Sequence, residues 1–314
     1  MSAFLGIDTS NYTTSCAVFI TDDNSVVSLK KLLPVKEGER GIRQSDAVFH
    51  HTRQLPDLIE ELRSQCSLKI DAVCVSETPR EQKGSYMPCF TVGHSTARAI
   101  STMCNVPLYT TSHQQGHIMA ALYSANRLDL LSERFLAFHV SGGTTEAVLV
   151  TPHQQKLISC DIVAQTLDLN AGQLVDRIGV VMGLKFPCGK ELEKLAASYT
   201  EPIKTKPVLK GCDCCLSGFE NKLCDIYSKT QDKSQTAAYA LSMVEATVSK
   251  MTSELFSVYG KMPVVYAGGV MSNQIIRRAI ESKFDCDFAA PEFSCDNAAG
   301  VAVIGALKHR DSIV

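Results

Sequence analysis

The chain has 314 residues, of which 45% are hydrophobic, with a formal net charge of -2 at pH 7 and 13 cysteines. This length suits two compact domains. The near-neutral charge excludes a protein that binds nucleic acid by bulk charge alone, so any such binding would need a local basic patch. Cysteines without paired spacings, no export segment and no membrane-length apolar run predict reduced thiols in a cytoplasmic protein with no membrane partner.

The first third of the chain predicts a β-β-β-α-β-α order. The predicted elements are strands over residues 4–10, 15–20 and 26–33, a helix over 51–66, a strand over 71–76 and a helix over 91–104. Apolar residues at helical spacing, among them Leu55, Leu58 and Leu62, indicate the first of these helices. Short runs of alternating or continuous apolar residues between polar turns indicate the strands.

The same order begins again at residue 135. The predicted elements are strands over 135–140, 146–150 and 156–163, helices over 174–182, 191–198 and 235–259, a strand over 263–267 and a helix over 273–283. This repeat predicts a duplicated α/β architecture, with lobes at 1–128 and 129–314 around a nucleotide cleft. We expect the helix at the end of the chain to pack back on the first lobe.

Residues 201–215 are rich in Pro, Lys and Cys and have no clear period, which predicts a long loop. Cys212, Cys214 and Cys215 within it could bind zinc, but a second cysteine pair at finger spacing is missing. The sequence therefore favours free thiols in this loop.

His113 and His117 give the strongest chemical signal. On a helix, their spacing puts both imidazoles on one face, and an acid from a remote segment, Asp296, could complete a two-histidine, one-carboxylate metal site with open positions. A histidine pair at this spacing is by itself more often part of a polar helix face. The accompanying motifs must decide between the two interpretations.

Three turns of Gly, Ser and Thr lie where strands end, within residues 8–14, 141–145 and 268–273. Their backbone N–H groups and hydroxyls can cradle phosphate oxygens, although a structural hairpin needs the same residue types. Asp176 and Gly189 could hold a ribose and admit a nucleotide to the backbone, or be a surface acid and a terminal turn. The two segments alone leave both alternatives open.

Eight motifs together resemble the TsaD/Kae1 family, in that family's order and near its spacing. They are LGIDTS at 5–10, SHQQGHI at 112–118, VSGG at 140–143, AGQLVD at 171–176, FPCG at 186–189, LSGF at 216–219, AGGVMSN at 267–273 and PEFSCDN at 291–297. The resemblance implies an actin-like, sugar-kinase-like (ASKHA) fold. It also implies transfer of a threonylcarbamoyl group from threonylcarbamoyl-AMP to N6 of adenosine 37 in tRNA.

The same resemblance implies site residues and partners. His113, His117 and Asp296 would ligate one divalent ion, iron or zinc, that polarises the carbonyl. The residues that would bind the adenylate or an ATP-type nucleotide are His139, Val140, Ser141, Gly142, Gly143, Asp176, Gly189 and Asn273. The implied partners are tRNA, a smaller paralogue of the same fold (TsaB-like) and a P-loop ATPase (TsaE-like). The candidates for tRNA phosphate contact are Lys185, Lys190, Lys194, Lys204, Lys206, Lys210, Arg277 and Arg278, although lysine runs are more often solvated faces.

The chain departs from the family pattern close to the implied site. Asn11 and Tyr12 stand where an acidic pair is usual, Thr144 replaces a histidine, and residues 77–86 replace a Gly-Pro-Gly turn. Of the usual Asp-Asp-Ala-Ala-Gly run, the residues that match are Asp168, Ala171 and Gly172. We infer a divergent paralogue that keeps the metal ligands and the nucleotide pocket.

The leading hypothesis is threonylcarbamoyl transfer to tRNA. The alternatives are a non-catalytic or regulatory paralogue that binds nucleotide and a related subunit, and a carbamoyltransferase with another acceptor. A metallopeptidase is disfavoured because Gln114 stands where zinc peptidases carry a glutamate base. A carbohydrate or acetate kinase of this fold has no use for a two-histidine, one-aspartate site.

Overall fold

The computed structural model describes residues 2–10, 12–34, 42–66 and 69–313, so the departure at Asn11 lies outside the described residues. Contacts divide the chain into two compact units. The first comprises Met1–Glu133, Thr151–Cys160 and Cys295–Val314, and the second comprises Arg134–Val150 and Asp161–Ser294. The predicted division at residues 128 and 129 stays a prediction.

The elements up to the third helix supply most of the first unit. They are β1 (Ala3–Ser10), β2 (Thr13–Ile20), β3 (Ser25–Leu32), α1 (Gln44–Gln65), β4 (Ile70–Thr78), α2 (Phe90–Cys104), β5 (Leu108–Ser112) and α3 (His113–Ser124). The later elements are β6 (Phe135–Val140), β7 (Thr145–His153), β8 (Leu157–Gln165), α4 (Ala171–Val181), α5 (Gly189–Ala196), β9 (Val208–Lys210), β10 (Asp213–Cys215), α6 (Ser217–Thr230), α7 (Lys233–Tyr259), β11 (Val264–Ala267), α8 (Gln274–Glu281), β12 (Asp287–Phe288) and α9 (Ala299–Ile313).

Two five-stranded sheets have the same strand order. The first runs β3-β2-β1-β4-β5, and the second runs β8-β7-β6-β11-β12. In each sheet the first strand of the repeat, β1 or β6, pairs antiparallel with the next strand and parallel with a later one, β4 or β11. The predicted α/β class and its duplication are confirmed.

Strand β1 is buried along its whole length because helices cover both faces of its sheet. Leu5 and Ile7 pack with Leu55 and neighbouring residues in one cluster, whereas Phe4 packs with Ala302 in another. This alternation is the two-residue period of a strand. Helix α9 packs closely on the second face, since a Cβ on Gly6 would lie 2.4 Å from the backbone nitrogen of Ala302. The segment that leads into α9 is thereby held against β1.

The core of the second unit is centred on β6, β11 and the long helix α7. Tyr266 on β11 is fully buried and stacks against Phe288, with ring centroids 5.1 Å apart. Its hydroxyl lies 2.7 Å from Oγ1 of Thr252 on α7, so the buried polar group has a partner. Strand β11, held by these contacts, pairs with β6. The end of β6 leads into the turn at residues 141–144.

The prediction of one long loop over residues 201–215 is wrong in part. Strands β9 and β10 form an antiparallel hairpin there, and Gly211 at its tip has a positive φ of 62° that favours glycine. Cys214 is fully buried in the core of the second unit, which gives its thiol a packing role. Among the described residues, no helix is both long and apolar enough to span a membrane.

Candidate metal centre and nucleotide turn

The start of α3 is fixed by a capping box. Ser112 Oγ accepts the backbone N–H of Gln115 at 3.2 Å, and Gln115 Oε1 accepts the backbone N–H of Ser112 at 3.0 Å. Gln115 Oε1 also accepts the hydroxyl of Thr111 at 2.7 Å, and Gln115 Nε2 donates to the carbonyl oxygen of Ile158 at 2.8 Å. His113 is the first residue of this anchored helix, and His117 follows one turn later.

His113, His117 and Asp296 form a compact cluster in the first unit. Their potential ligand atoms all lie within 4.8 Å of one another. The two imidazole Nε2 atoms are 2.9 Å apart, and Asp296 Oδ1 lies 3.2 Å from Nε2 of His117 and 3.7 Å from Nε2 of His113. Across the described part of the chain, no other group of three or more His, Cys, Asp or Glu side chains comes close enough to hold a metal ion.

Asp296 is oriented by its neighbours. Thr13 donates its hydroxyl to Oδ2 of Asp296 at 3.1 Å, so Oδ1 is the carboxylate oxygen nearest the imidazoles. The next residue, Asn297, accepts the backbone N–H of Ala299 at 3.0 Å where α9 begins. In the Asp-Asn pair, one side chain thus faces the cluster and the other starts the helix.

Asp8 binds the nitrogen of His113 that faces away from the cluster, a role that was not predicted from the sequence. Its fully buried carboxylate places Oδ2 at 2.8 Å from Nδ1 of His113, and the same oxygen accepts the hydroxyl of Ser76 at 2.6 Å. Its Oδ1 accepts the backbone N–H of Ser10 at 2.9 Å. A carboxylate on the far nitrogen of a histidine fixes the ring and raises its basicity as a metal ligand. The available signal was an aspartate within the apolar strand β1.

The charged groups of the cluster shift one another's pKa. Burial opposes the charged form of His113, but the adjacent carboxylate of Asp8, and then that of Asp296, raise the pKa of His113 to about 9. Burial also opposes ionisation of Asp296, yet the hydrogen bond from His117 and the charge of His113 hold the pKa of Asp296 far below its usual range. Two imidazoles and an ionised carboxylate are donors that suit iron or zinc, so the residues fit a metal ion.

The predicted phosphate turn lies in the second unit, at the end of β6. Ser141 Oγ accepts the backbone N–H groups of Gly143 and Thr144 at 3.3 and 3.1 Å, and the carbonyl oxygen of Thr144 accepts the N–H of Ser141 at 2.7 Å. Thr144 closes the turn through its backbone. The departure from histidine at this position therefore leaves these hydrogen bonds intact.

Two glycines let neighbouring segments approach this turn. A Cβ on Gly172, in the first turn of α4, would lie 2.5 Å from the backbone nitrogen of Gly142. A Cβ on Gly268 would lie 2.3 Å from the carbonyl oxygen of Val140, and Gly268 also has a positive φ of 101°. Neighbouring backbone atoms leave no room for a side chain at Gly172 or Gly268. This explains why two of the motifs contain glycine at these positions.

Asp176, Gly189 and Asn273 were predicted to bind the nucleotide, and the structure gives their local contacts. Asp176 Oδ1 accepts the N–H of Cys188 at 2.8 Å, just before α5 begins at Gly189. A Cβ on Gly189 would meet no atom within 4 Å. Asn273 Oδ1 caps α8 by accepting the N–H groups of the second and third helical residues at 3.0 and 3.1 Å. Nucleotide binding by these residues stays a prediction.

The basic residues predicted to contact tRNA all belong to the second unit. Arg277 is half-buried, pairs with Glu281 at 2.7 Å and lies over the ring of Phe288. The others are exposed: Lys185, Lys190, Lys194, Lys204, Lys206, Lys210 and Arg278. Arg277 is thus tied to its own unit, and the seven exposed residues remain candidates for phosphate contact.

Duplicated sheets with this strand order define an actin-like α/β protein, here with two histidines on α3 and the carboxylate of Asp296, just before α9, in one cluster. Solved structures support the fold. The chain is similar to component A of the (R)-2-hydroxyglutaryl-CoA dehydratase of Acidaminococcus fermentans, with a TM-score of 0.56 at 16% identity over 99% of this chain and 100% of that one. It is also similar to full-length HypF, with a TM-score of 0.61 at 14% identity over 99% of this chain and 46% of that one.

The model of the TsaD family, described as tRNA N6-adenosine threonylcarbamoyltransferase, matches residues 26–303, and the chain belongs to this family. The similar proteins of that name include one from Bacillus licheniformis, 28% identical over 98% of this chain and 92% of its own length. Another, from Enterococcus faecalis, is 30% identical over 88% of this chain and 79% of its own length. The predicted family is confirmed.

Proposed function

We propose that this chain transfers the threonylcarbamoyl group of threonylcarbamoyl-AMP to N6 of an adenosine in tRNA, with the help of an iron or zinc ion. The family match over residues 26–303 supports the reaction, and the relatives carry the name of this transferase. The proposal that a metal ion assists the reaction rests on the cluster of His113, His117 and Asp296, with Asp8 bound to Nδ1 of His113.

The residues of the first unit suit this chemistry. A carbamoyl adenylate is a mixed anhydride, so its reaction with an amine needs a polarised carbonyl and AMP held as the leaving group. An ion bound by His113, His117 and Asp296 would supply a Lewis acid for that carbonyl. Asp8 keeps Nδ1 of His113 occupied, and Thr13 holds Oδ2 of Asp296, so both side chains present their other donor atom to the cluster.

The second unit would bind the adenylate. We assign this role to the end of β6 and its turn, His139 to Gly143, together with Asp176, Gly189 and Asn273. Support comes from the tight approach of Gly172 to the turn and from the open space around Gly189. Asp176 uses Oδ1 for the Cys188 N–H, and Oδ2 has no hydrogen bond among the described residues, which leaves it for a ribose hydroxyl.

The macromolecular partners follow from the same proposal. The exposed lysines of the second unit and Arg278 would contact tRNA phosphates, whose binding depends on local rather than net charge. A TsaB-like paralogue and a TsaE-like ATPase would complete the reaction in the cytoplasm. Mutation of individual lysines should weaken tRNA binding with little dependence on tRNA sequence.

The proposal is tested by transfer from labelled threonylcarbamoyl-AMP to tRNA in the presence of the partner proteins, with the modified nucleoside measured after digestion. Wild type and His94→Ala, a histidine control on α2, should form it, and His113→Ala and Asp296→Ala should not. Binding of metal and AMP without modified tRNA would contradict the tRNA assignment and indicate another acceptor. Binding of AMP without metal and without transfer would support the non-catalytic paralogue.

A further inference from the structure

A polar cavity of about 380 Å³ lies within the first unit, and none of the three metal ligands lines it. Its walls come from the end of β4 and the segment before α2, from β5, from the start of α3, from the β7–β8 hairpin and from α9. The end of β4 and the segment after it include residues 77–86, where the chain departs from the family pattern. The charged side chains that face the cavity are Glu77, Arg80, Glu81, Lys156 and Lys308.

Lys308 on α9 is a half-buried cation in this wall. Its Nζ donates to the carbonyl oxygen of Thr110 at 2.7 Å, which uses one of three N–H donors. No carboxylate of the described residues lies within ion-pair distance of it. A half-buried ammonium that lacks a carboxylate partner favours an anion in the adjacent space.

The other charges in the wall leave an excess of positive charge. Lys156, on the hairpin, lies 3.2 Å from Glu81 and neutralises that carboxylate. Glu77 is exposed to solvent, where its charge is screened, and Arg80 supplies a further cation. Three cations face two carboxylates, so the lining carries a net charge of +1.

Hydrogen bonds hold the wall in place before any ligand arrives. Ser85 Oγ accepts the backbone N–H of Arg80 at 3.1 Å, which fixes the segment that carries Glu81. Elsewhere in the wall, Gln115 accepts the hydroxyl of Thr111 and donates to the carbonyl oxygen of Ile158. A preformed wall lowers the ordering cost of binding.

We propose that this cavity binds a small ligand that bears a phosphate group, with Lys308 as its main charge partner and Arg80 and Lys156 beside it. A phosphate accepts charge-assisted hydrogen bonds from ammonium and guanidinium groups, and hydroxyl donors such as Ser85 complete its shell. The volume lies in the range of small-molecule pockets. The site is separate from the proposed transfer reaction, so the failure of one does not decide the other.

The test is calorimetric titration of the purified full chain with inorganic phosphate at constant ionic strength. Wild type should show saturable binding at one site, and Lys308→Met should weaken it by about tenfold or more, as expected for the loss of a charged hydrogen-bond donor. Glu81→Gln should tighten binding several-fold because it removes a repulsive charge and releases Lys156. The matched control is Lys229→Met, which removes an exposed lysine of α6 and should bind like wild type.

Several results would overturn the proposal. They are no saturable binding by wild type, equal affinity in Lys308→Met, and weaker binding in Glu81→Gln, which would indicate a cationic ligand. Absence of phosphate binding together with weaker tRNA binding in Lys308→Met would assign the cavity to an RNA phosphate instead. If Lys308→Met fails to fold, Glu81→Gln still tests the proposal, because its phosphate affinity should rise for an anion site and fall for a cation site. Lys308→Arg, which keeps the charge, should bind phosphate like wild type.

Discussion

The carboxylate of Asp8 on β1 lies 2.8 Å from Nδ1 of His113, the first residue of α3. This pair explains why the LGIDTS and SHQQGHI motifs occur in one chain although 105 positions separate the two residues. Strand β1 holds the carboxylate rigidly because β2 and β4 flank it. The pair turns Nε2 of His113 toward His117 and Asp296.

Substitution Asp8→Asn should weaken metal binding by about 10–100-fold, because the amide carries no charge to support the imidazole. Metal affinity is measured by competition with a chelator of known affinity. The control is Asp71→Asn, since Asp71 lies in the same sheet and accepts the N–H of Ala3 at 2.9 Å. Equal affinity in Asp8→Asn and Asp71→Asn would show that Asp8 does not support the site.

The metal-free protein should lose stability as pH rises from about 6.5 to 9. The pKa of His113 is raised to about 9 in the folded state against 6.5 unfolded, so the charged imidazole stabilises the fold fully below pH 6.5 and progressively less up to pH 9. The free energy of unfolding is measured with denaturant in the presence of a chelator. In His113→Gln this pH-dependent loss should be smaller. The same loss in both proteins would contradict the assignment.

His51 should give the opposite slope at acidic pH. It is fully buried beside Thr14, and burial lowers its pKa to about 4. The neutral imidazole therefore contributes stability above pH 6.5 that is lost as pH falls to 4, by up to about 3 kcal/mol. Comparison of wild type with His51→Asn across this range measures it. A parallel pH profile in the two proteins would be evidence that His51 is not buried in its neutral form.

Gly172→Ala should distort the turn at Ser141 and Gly142. The new methyl would lie 2.5 Å from the Gly142 nitrogen, and overpacking of this kind costs about 1–3 kcal/mol. We expect weaker binding of the adenylate and a lower melting temperature. Gly218→Ala on α6 is the control, because its methyl would meet no atom within 4 Å. Unchanged adenylate affinity in Gly172→Ala would remove the turn from the proposed nucleotide site.

The histidine pair and the late aspartate could be predicted because helical spacing is visible in the chain and the remote acid was part of a motif. Strand β5 and helix α6 were missed. Strand β5 is short and mostly Tyr, Thr and Ser, and α6 begins in the Ser-Gly motif at Ser217 with few buried apolar residues. The role of Asp8 depends on a contact between remote segments, which no local pattern encodes. The burial of Cys214 was hidden because its neighbours suggested a surface loop.

We propose that His113, His117 and Asp296 hold an ion that the transfer reaction needs. The most direct measurement is single-turnover transfer from threonylcarbamoyl-AMP to tRNA by metal-free protein, with the partner proteins present, before and after addition of one equivalent of zinc or iron. We expect transfer to return in wild type and not in His117→Ala. Equal transfer by metal-free wild type and His117→Ala would contradict it.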